Sequence, residues 1–213
     1  AIEWISTTDS IPWISKPKLE LSDFSDSLAD ITINSTSTQQ IIDGFGGCFN
    51  ELGWDALNLL KNEDREAIIK ELFDSISGCK FNICRMPIGA NDYAVDWYSH
   101  NEKSGDFEMT AFSIERDKQR LIPYIKNARI YKPDLQIWAS PWCPPSWLKT
   151  NKHYACNPDA VNDLAKEKGG KEMLDQFIMK DEYLKAYALY FSKFVTAYHN
   201  EEIPIYAVHV QNE

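Results

Sequence analysis

The residues whose types most directly suggest chemistry are Asn212 and Glu213. They follow the run 205–210, whose apolar, β-branched and aromatic residues predict a buried strand. A carboxylic acid at a strand end can donate a proton to a leaving oxygen, and an adjacent amide can hold a substrate hydroxyl. Cleavage of a glycosidic bond needs such an acid and a second carboxylate that acts as nucleophile or base. The alternative is that Glu213 is a solvated side chain without a chemical role.

Four further side chains could bind a polar ligand. Asp92 closely follows the apolar run 81–88, and its carboxylate can accept hydrogen bonds from neighbouring hydroxyls, although an Asx turn would also explain it. Trp142 and Trp147 lie in a proline-stiffened loop, where they either stack on sugar rings or pack beneath the loop. Arg85 lies inside the same apolar run, where an unpaired charge is unfavourable. We expect it to face the site and to pair with a carboxylate that is either a reacting group or a structural partner.

The hydrophobic pattern predicts alternating strands and helices from about residue 41 onward. The predicted strands are 41–49, 81–88, 135–140 and 205–210, and the predicted helices lie within 52–73, 121–128 and 181–199. Such alternation indicates parallel strands joined by crossover helices. Because each predicted strand is apolar throughout, we expect a sheet that is buried on both faces.

This α/β pattern favours the first half (strands 1 to 4) of a (β/α)8 TIM barrel over a doubly wound open sheet. Polar or aromatic residues end every predicted strand, whereas an open sheet shows them only near the point where its strand order reverses. The carboxyl ends of barrel strands meet at one mouth. We therefore expect Asp92, Trp142, Asn212 and Glu213 to share a site.

Residues 1–40 differ from the remainder of the sequence. They are rich in Ser, Thr and Asp, and short alternating pieces at 18–21 and 31–34 predict small exposed strands. We expect residues 1–40 to form an appended β element and residues 41–213 to form the barrel half.

Two other patterns indicate packing rather than ligand binding. Six aromatic residues at helical spacing predict a buried helix face, namely Tyr183, Tyr187, Tyr190, Phe191, Phe194 and Tyr198. The glycines of 44–47 lack the third glycine and the later acidic residue of a dinucleotide-binding loop. We expect them to allow close backbone packing, and no cofactor is predicted.

The net charge and the lengths of the apolar runs argue against some classes of binding partner. The 213 residues carry a net charge of −10, which argues against nucleic acid and anionic membranes. No apolar run approaches the roughly 18 residues of a membrane span. The first residues do not resemble a signal peptide, which is compatible with a secreted protein whose leader has been removed.

The cysteines predict no metal site, because their spacings match no zinc pattern. Cys48, Cys79 and Cys84 lie in or beside predicted strands, and we expect them to be buried free thiols. Cys143 and Cys156 belong to one loop region and could form a disulfide.

Four blocks of the sequence resemble glycoside hydrolase family 30. They are 43–47 (DGFGG), 82–93 (NICRMPIGANDY), 139–149 (ASPWCPPSWLK) and 212–213 (NE), in this order. The third block is the most specific, and the resemblance covers about residues 30–213. The sequence is most similar to the glucosylceramidase and endo-β-1,6-glucanase branch, and less similar to the xylanase branch.

The resemblance implies a (β/α)8 barrel with a side β-sandwich, to which residues 1–40 would contribute the first strands. It implies retaining hydrolysis of β-glucosidic linkages, as in β-1,6-glucan, β-glucosides or glucosylceramide, and a secreted, extracellular or periplasmic protein. The family's nucleophile is a Glu on a later strand, and no residue here corresponds to it. We therefore expect a sequence that is truncated after its acid/base, inactive alone, and dependent on the C-terminal half of the barrel.

The resemblance also assigns roles to individual residues. Glu213 is similar to the acid/base, and Asn212 to the residue that contacts the sugar 2-hydroxyl. Asp92 corresponds to the carboxylate that holds hydroxyls of the glycone, and Trp142 to the aromatic wall of the same subsite. Arg85 corresponds to the arginine that lies near the nucleophile.

Two other classes of function remain open from the sequence. One is a non-catalytic half-barrel that binds carbohydrate through Asp92, Trp142 and Trp147. The other is a half-barrel that a second polypeptide completes.

Overall fold

The computed structural model describes residues 1–21, 31–170 and 176–212, and the chain divides into two compact units, Ala1–Ile41 and Ile42–Glu213. In chain order the elements are β1 (Ile5–Ser6), β2 (Ile14–Ser15), α1 (Glu51–Asn58), α2 (Asn62–Phe73), β3 (Ile83–Pro87), α3 (Leu121–Tyr131), β4 (Gln136–Ser140), α4 (Asp181–Asn200) and β5 (Ala207–Val208). Single 3₁₀ turns lie at Asp117–Gln119, Ser146–Leu148 and Lys166–Lys168.

The first unit contains an antiparallel pair of short strands. β1 and β2 pair with Ile5 opposite Ser15, and an isolated antiparallel bridge joins Ile2 to Leu19. Within the described residues, Leu19 is the one member of the predicted strand 18–21 that pairs. The prediction of a strand at 31–34 is wrong, because these residues form no strand, although Ile31 and Ile33 are exposed as expected, at 81% and 90%. None of the described strands pairs with 31–34, and alternation alone does not create a strand without such hydrogen bonds.

The second unit contains a parallel sheet in the order β3-β4-β5. Arg85 lies beside Trp138, and Trp138 lies beside Ala207. On the other edge of β3, Cys48 forms an isolated parallel bridge with Arg85. The strands therefore follow one another across the sheet in chain order. This order agrees with a barrel, whereas a doubly wound sheet reverses direction at its switch point.

The first predicted strand, 41–49, is less regular than expected. Phe45 and Gly47 accept hydrogen bonds from the N–H groups of Asn82 and Arg85, at 3.0 and 2.9 Å, and Phe49 donates to the Arg85 carbonyl at 2.9 Å. The segment thus runs along β3, but regular pairing is limited to one bridge.

The predicted burial of 41–49 is also wrong in part. Ile41 is 90% exposed and Phe45 is 69% exposed, whereas Phe49 is buried. The glycine prediction is confirmed at Gly46, where an added Cβ would lie 1.7 Å from the Ile83 carbonyl oxygen. The close approach of two backbones explains that glycine.

The last predicted strand, 205–210, pairs only at Ala207 and Val208. Tyr206 and His209 donate backbone hydrogen bonds to β4 at 2.7 and 2.8 Å. Tyr206 is 58% exposed and Val210 is 77% exposed, so the expected buried strand is instead a short, partly exposed one. Among the described residues, β5 pairs with one neighbouring strand, which leaves its other edge uncovered.

The helices agree more closely with the sequence. The predicted helical stretch 52–73 is two helices, α1 and α2, and the Asn50 side chain caps α1 by accepting the Gly53 N–H at 2.7 Å. α3 ends before Pro133 as predicted. α4 is the longest helix, and the predicted aromatic stripe is confirmed as core packing.

The core lies between the parallel sheet and the helices. Its largest fully buried side chains are Ile69, Met86, Ile88, Met109, Leu121, Ile125, Ile137, Leu148, Tyr190, Phe194, Tyr198 and Ile203.

A polar group lies inside this core. The Asp117 carboxylate accepts hydrogen bonds from the hydroxyls of Tyr98 and Tyr198, at 2.9 and 2.6 Å. The Tyr190 hydroxyl accepts the His100 N–H at 3.2 Å. Burial lowers the pKa of His100, so its ring is neutral near pH 7.

The five cysteines are all free, so the disulfide that Cys143 and Cys156 could have formed is absent from this structure. Cys84 is buried as expected, but Cys48 and Cys79 are exposed. Within the described residues, no helix combines the length and the apolar character that crossing a membrane requires.

Candidate active site

Arg85 lies in the middle of β3 and contacts residues from two other strand ends. Its Nε donates to the Ser140 hydroxyl at 2.7 Å, and its Nη2 donates to Asn212 Oδ1 at 2.5 Å. Its guanidinium carbon lies 4.4 Å from the centre of the Trp142 ring and 5.3 Å from that of Trp138. Arg85 therefore links β3, the end of β4 and the residues that follow β5.

The expected carboxylate partner of Arg85 is not found among residues 1–21, 31–170 and 176–212. A hydroxyl, an amide oxygen and two indole faces surround the guanidinium instead, and cation–π contact stabilises a charge in such a place. Glu213 lies outside the described residues, so the structure gives no position for it.

Asp92 and Trp142 line one cleft, with a volume of about 580 Å³. The Asx turn considered for Asp92 is formed by its neighbour, because Asn91 Oδ1 accepts the Tyr93 N–H at 3.1 Å. The Asp92 carboxylate is exposed and has no hydrogen-bond partner in the described part of the chain. It is therefore available to a ligand in the cleft.

Trp142 is held at the edge of this cleft from two directions. Arg85 covers part of its ring, and Gln211 Nε2 donates to its backbone carbonyl at 3.1 Å. Through Trp142, the cleft adjoins the group formed by Arg85 and Asn212. The structure thus brings together four of the six residues that the sequence predicted for the site.

Trp147 does not offer a stacking face to a ligand in this structure. It is 3% exposed, its indole N–H donates to the Asn101 carbonyl at 3.0 Å, and its ring meets Phe107 edge to face at 5.4 Å. It is the wedge beneath the loop that the alternative interpretation describes. The apolar side of this proline-rich loop therefore faces the core.

The cleft also contains Asp96, Trp97 and Tyr154, which the sequence reasoning missed. Trp97 and Tyr154 stack with ring centres 4.9 Å apart and an interplanar angle of 22°. A Trp beside an acidic residue in the long loop after β3 was the available signal. Its partner comes from a different loop, which no local pattern indicates.

A buried ion pair supports the loop that carries Asp96 and Trp97. The Glu51 carboxylate accepts two hydrogen bonds from Arg116, at 2.8 and 2.9 Å, and one from the Val95 N–H at 2.8 Å. Burial raises the pKa of Glu51, but the Arg116 and Val95 hydrogen bonds lower it by more, so the net shift is downward. Glu51 is therefore an ionised structural residue rather than a proton donor.

The charged and aromatic groups in and beside the cleft suit the binding of neutral hydroxyl groups. Burial raises the pKa of Cys143 to about 12, so this lining residue is a neutral thiol. Among the described residues, no three His, Cys, Asp or Glu side chains are grouped so that they could hold a metal ion. Flat aromatic rings beside carboxylates suit a sugar, whose C–H face stacks and whose hydroxyls donate.

Comparison with known proteins gives the class to which this fold and site belong. The family model for the glycosyl hydrolase family 30 TIM-barrel domain matches residues 42–213. The chain belongs to this family of glycosidases, and its parallel sheet with crossover helices is part of the family's barrel.

Individual relatives agree with this assignment. The chain is 35% identical over 184 residues to a Caenorhabditis elegans protein provisionally named glucosylceramidase 1. The matched region covers 86% of this chain and 32% of that protein. It is 29% identical to the lysosomal acid glucosylceramidase of Mus musculus, over a region that makes up 86% of this chain and 33% of that protein. The chain thus spans about a third of the length of these relatives.

A solved structure extends the similarity to three dimensions. The endo-β1,6-glucanase BT3312 superposes with a TM-score of 0.67 at 28% identity, covering 84% of this chain and 37% of that chain.

Proposed function

We propose that this chain supplies the first part of a retaining β-glycoside hydrolase that acts on β-glucosidic linkages. The observation that carries the proposal is the cleft in which an unpaired Asp92 carboxylate and the Trp142 ring meet, beside Arg85 and Asn212. Relatives named as glucosylceramidases and as endo-1,6-β-D-glucanases support β-1,6-glucan, β-glucoside or glucosylceramide as the substrate type.

In this proposal a β-linked glucosyl unit occupies the cleft. Asp92 accepts hydrogen bonds from two of its hydroxyls, and the Trp142 ring covers one face. Asn212, held by Arg85, contacts the 2-hydroxyl next to the reacting carbon. A hydrogen bond at this position strengthens as positive charge develops on the sugar ring.

Glu213 protonates the glycosidic oxygen in the first step. A second Glu from a later part of the barrel attacks the anomeric carbon, and the ionised Glu213 then activates the water that releases the sugar. Retention requires the two carboxyl groups to lie about 5–5.5 Å apart. The role of Glu213 is supported by its place directly after Asn212 and by the family of the chain.

The proposal also includes a dependence on the C-terminal half of the barrel. Its support is that the chain spans about a third of its relatives and that β5 pairs on one side only in the described residues. We further propose that the enzyme is secreted, extracellular or periplasmic; the name of the mouse relative supports a lysosomal location as the alternative. Secretion is checked by fractionating the cells that express it.

The test uses a polypeptide that carries this chain and the complete barrel. Glu213→Gln is expected to lower turnover of an alkyl β-glucoside by about 10²–10⁴-fold, the range for loss of a general acid. Turnover of a dinitrophenyl β-glucoside should fall much less in its first step, because that leaving group needs no proton. Glu63→Gln, at an exposed position on α2, is the matched control. Equal turnover of the alkyl glucoside by Glu213→Gln and the control would end the assignment.

A non-catalytic sugar-binding function is the second candidate, because the cleft is lined by an exposed carboxylate, Asp92, and by the aromatic residues Trp97 and Trp142. It predicts that residues 1–213 bind a glucoside without hydrolysing it, and that Asp92→Asn weakens this binding. Calorimetry of glucoside binding by this chain tests this candidate. Co-purification of a second polypeptide that completes the barrel would instead favour a half-barrel that another chain completes.

A further inference from the structure

We propose that Trp97, backed by Tyr154, is a second sugar-binding platform that holds the ring next to the one bound by Asp92 and Trp142. The platform would make the enzyme selective for a β-linked oligosaccharide over a single glucoside. This inference rests on the proposed function and deepens it, since it names the substrate class of the same cleft.

The first observation is a stack of three rings. Trp97 stacks on Tyr154 at 4.9 Å and 22°, and Tyr154 stacks on His153 at 4.5 Å and 27°. Both Trp97 and Tyr154 are half-buried and line the cleft. Because the stack fixes the indole before a ligand arrives, little side-chain freedom is lost on binding.

The second observation is that the loop carrying Trp97 is fixed on both sides of it. On one side, Glu51 accepts the Val95 N–H, and Arg116 donates to the Asp96 carbonyl at 3.3 Å. On the other side, the Arg116 guanidinium lies 4.1 Å from the centre of the Tyr98 ring. Breaking a buried ion pair by removing one partner is destabilising, and in some proteins such a pair also selects one conformation. Here the conformation selected is that of the segment presenting Trp97.

The third observation concerns the loop that carries Tyr154. Lys149 is 3% exposed, and its ammonium donates to the Tyr154 carbonyl at 2.7 Å. The Cys143 thiol donates to the same carbonyl at 3.2 Å. Buried charged groups thus hold both halves of the stack, although the rings themselves reach the cleft surface.

The lining chemistry indicates which ligand fits. Asp92 and Asp96 contribute carboxylates to the cleft, and Trp97, Trp142 and Tyr154 contribute rings. Two acidic side chains disfavour phosphate, sulfate and uronic acids, whereas neutral sugar hydroxyls can donate to them. The volume of about 580 Å³ falls in the range of sites that hold drug-sized ligands, which leaves room beyond one hexose.

The experiment compares Trp97→Ala and Trp97→Phe with wild type in the complete-barrel polypeptide. The probes are an aryl β-glucoside, with one sugar ring, and a β-1,6-linked glucotetraose. Trp97→Ala is expected to raise KM for the tetraose at least tenfold and to change kcat/KM for the aryl glucoside less than threefold. Trp97→Phe, which keeps a flat ring, should recover most of the loss. Trp13→Ala, at a 76% exposed Trp in the first unit, is the matched control and should match wild type.

Three outcomes would overturn the platform. Trp97→Ala kinetics on the tetraose that equal those of wild type would do so. Equal losses on both probes, with a lower unfolding midpoint, would indicate a merely structural residue. A lipid-linked β-glucoside is the third probe, and a loss by Trp97→Ala on this probe alone would place an aglycone, not a sugar, on Trp97.

Failure of the proposed function gives a different result. If the wild type cleaves neither probe, hydrolysis is refuted, and the platform is then judged by calorimetry of tetraose binding. A tenfold weaker affinity in Trp97→Ala would support the platform without catalysis. An unchanged affinity, or no binding by the wild type, would refute the platform as well.

Discussion

Replacing Glu51 by Gln removes one charge of the Glu51–Arg116 pair and keeps the length of the side chain. The Glu51 side chain is 2% exposed, and the Arg116 side chain is 29% exposed. Gln can still accept the Val95 N–H, but it cannot balance the guanidinium charge. We expect a loss of folding stability and a less fixed Trp97 segment.

The magnitude follows from the environment of the two charges. Removing one partner of a fully buried ion pair costs about 3–5 kcal/mol, because the other charge is left buried. Water reaches part of Arg116, so the penalty here is smaller. We expect about 2–3 kcal/mol, which includes loss of two charge-assisted hydrogen bonds.

The matched control is Asp55→Asn. Asp55 also lies on α1, and its two carboxylate oxygens share the Nε–H of Arg120, at 2.9 and 3.0 Å, but its side chain is 42% exposed. An exposed pair contributes less than about 1 kcal/mol. Urea unfolding of both variants measures the two losses. A loss for Glu51→Gln that is no greater than that for Asp55→Asn would refute the reasoning from burial.

The same variant has a pH signature. Because the pKa of Glu51 is lower in the folded state, its contribution is fully present above the unfolded value of about 4.3 and is lost as pH falls through the folded value. The stability difference between wild type and Glu51→Gln should therefore narrow between pH 5 and pH 3. A difference that stays constant or widens over this range would contradict an ionised Glu51.

Three further predictions concern other parts of the molecule. Gly78→Ala should destabilise by about 1–3 kcal/mol in urea unfolding, because φ is +69° and the added Cβ would lie 1.9 Å from the Glu71 carbonyl oxygen; an unchanged midpoint would exclude this strain. At pH 8, a maleimide should label the exposed Cys156 well before the buried Cys143, whose pKa burial raises to about 12; peptide mass spectrometry reports the order. Because burial lowers the pKa of His100, stability should fall as pH drops below about 6.5, by up to about 1.4 kcal/mol per unit, and this slope should be smaller in His100→Phe.

Much of the fold could be predicted from periodicity. The aromatic residues of α4 recur at helical spacing over a long segment, and such a pattern clearly indicates a helix with one buried face. The parallel order of the strands follows from their alternation with helices. Strand extents were less predictable, because an apolar run such as 205–210 does not show how many of its residues find a pairing neighbour.

The sequence could predict those residues of the site that lie directly after strands. Asp92 and Trp142 follow neighbouring strands, so the topology brings them to one cleft. The stack of Trp97 on Tyr154 joins two irregular loops, and no periodicity links them. The burial of Trp147, and the lack of a carboxylate beside Arg85 in the described part of the chain, depend on three-dimensional packing that residue type alone does not specify.

The tyrosine hydroxyls of α4 also bear on the position of Asn212, near the end of the described chain. Tyr198 is tied to Asp117 and Tyr190 to the backbone of His100, so this helix can neither slide along its axis nor turn about it without breaking both ties. The chain leaves α4 and reaches β5 within a few residues, and Asn212 follows. The position of that amide beside Arg85 therefore depends on how firmly α4 is anchored in the core, as well as on the hydrogen bonds that Tyr206 and His209 donate to β4.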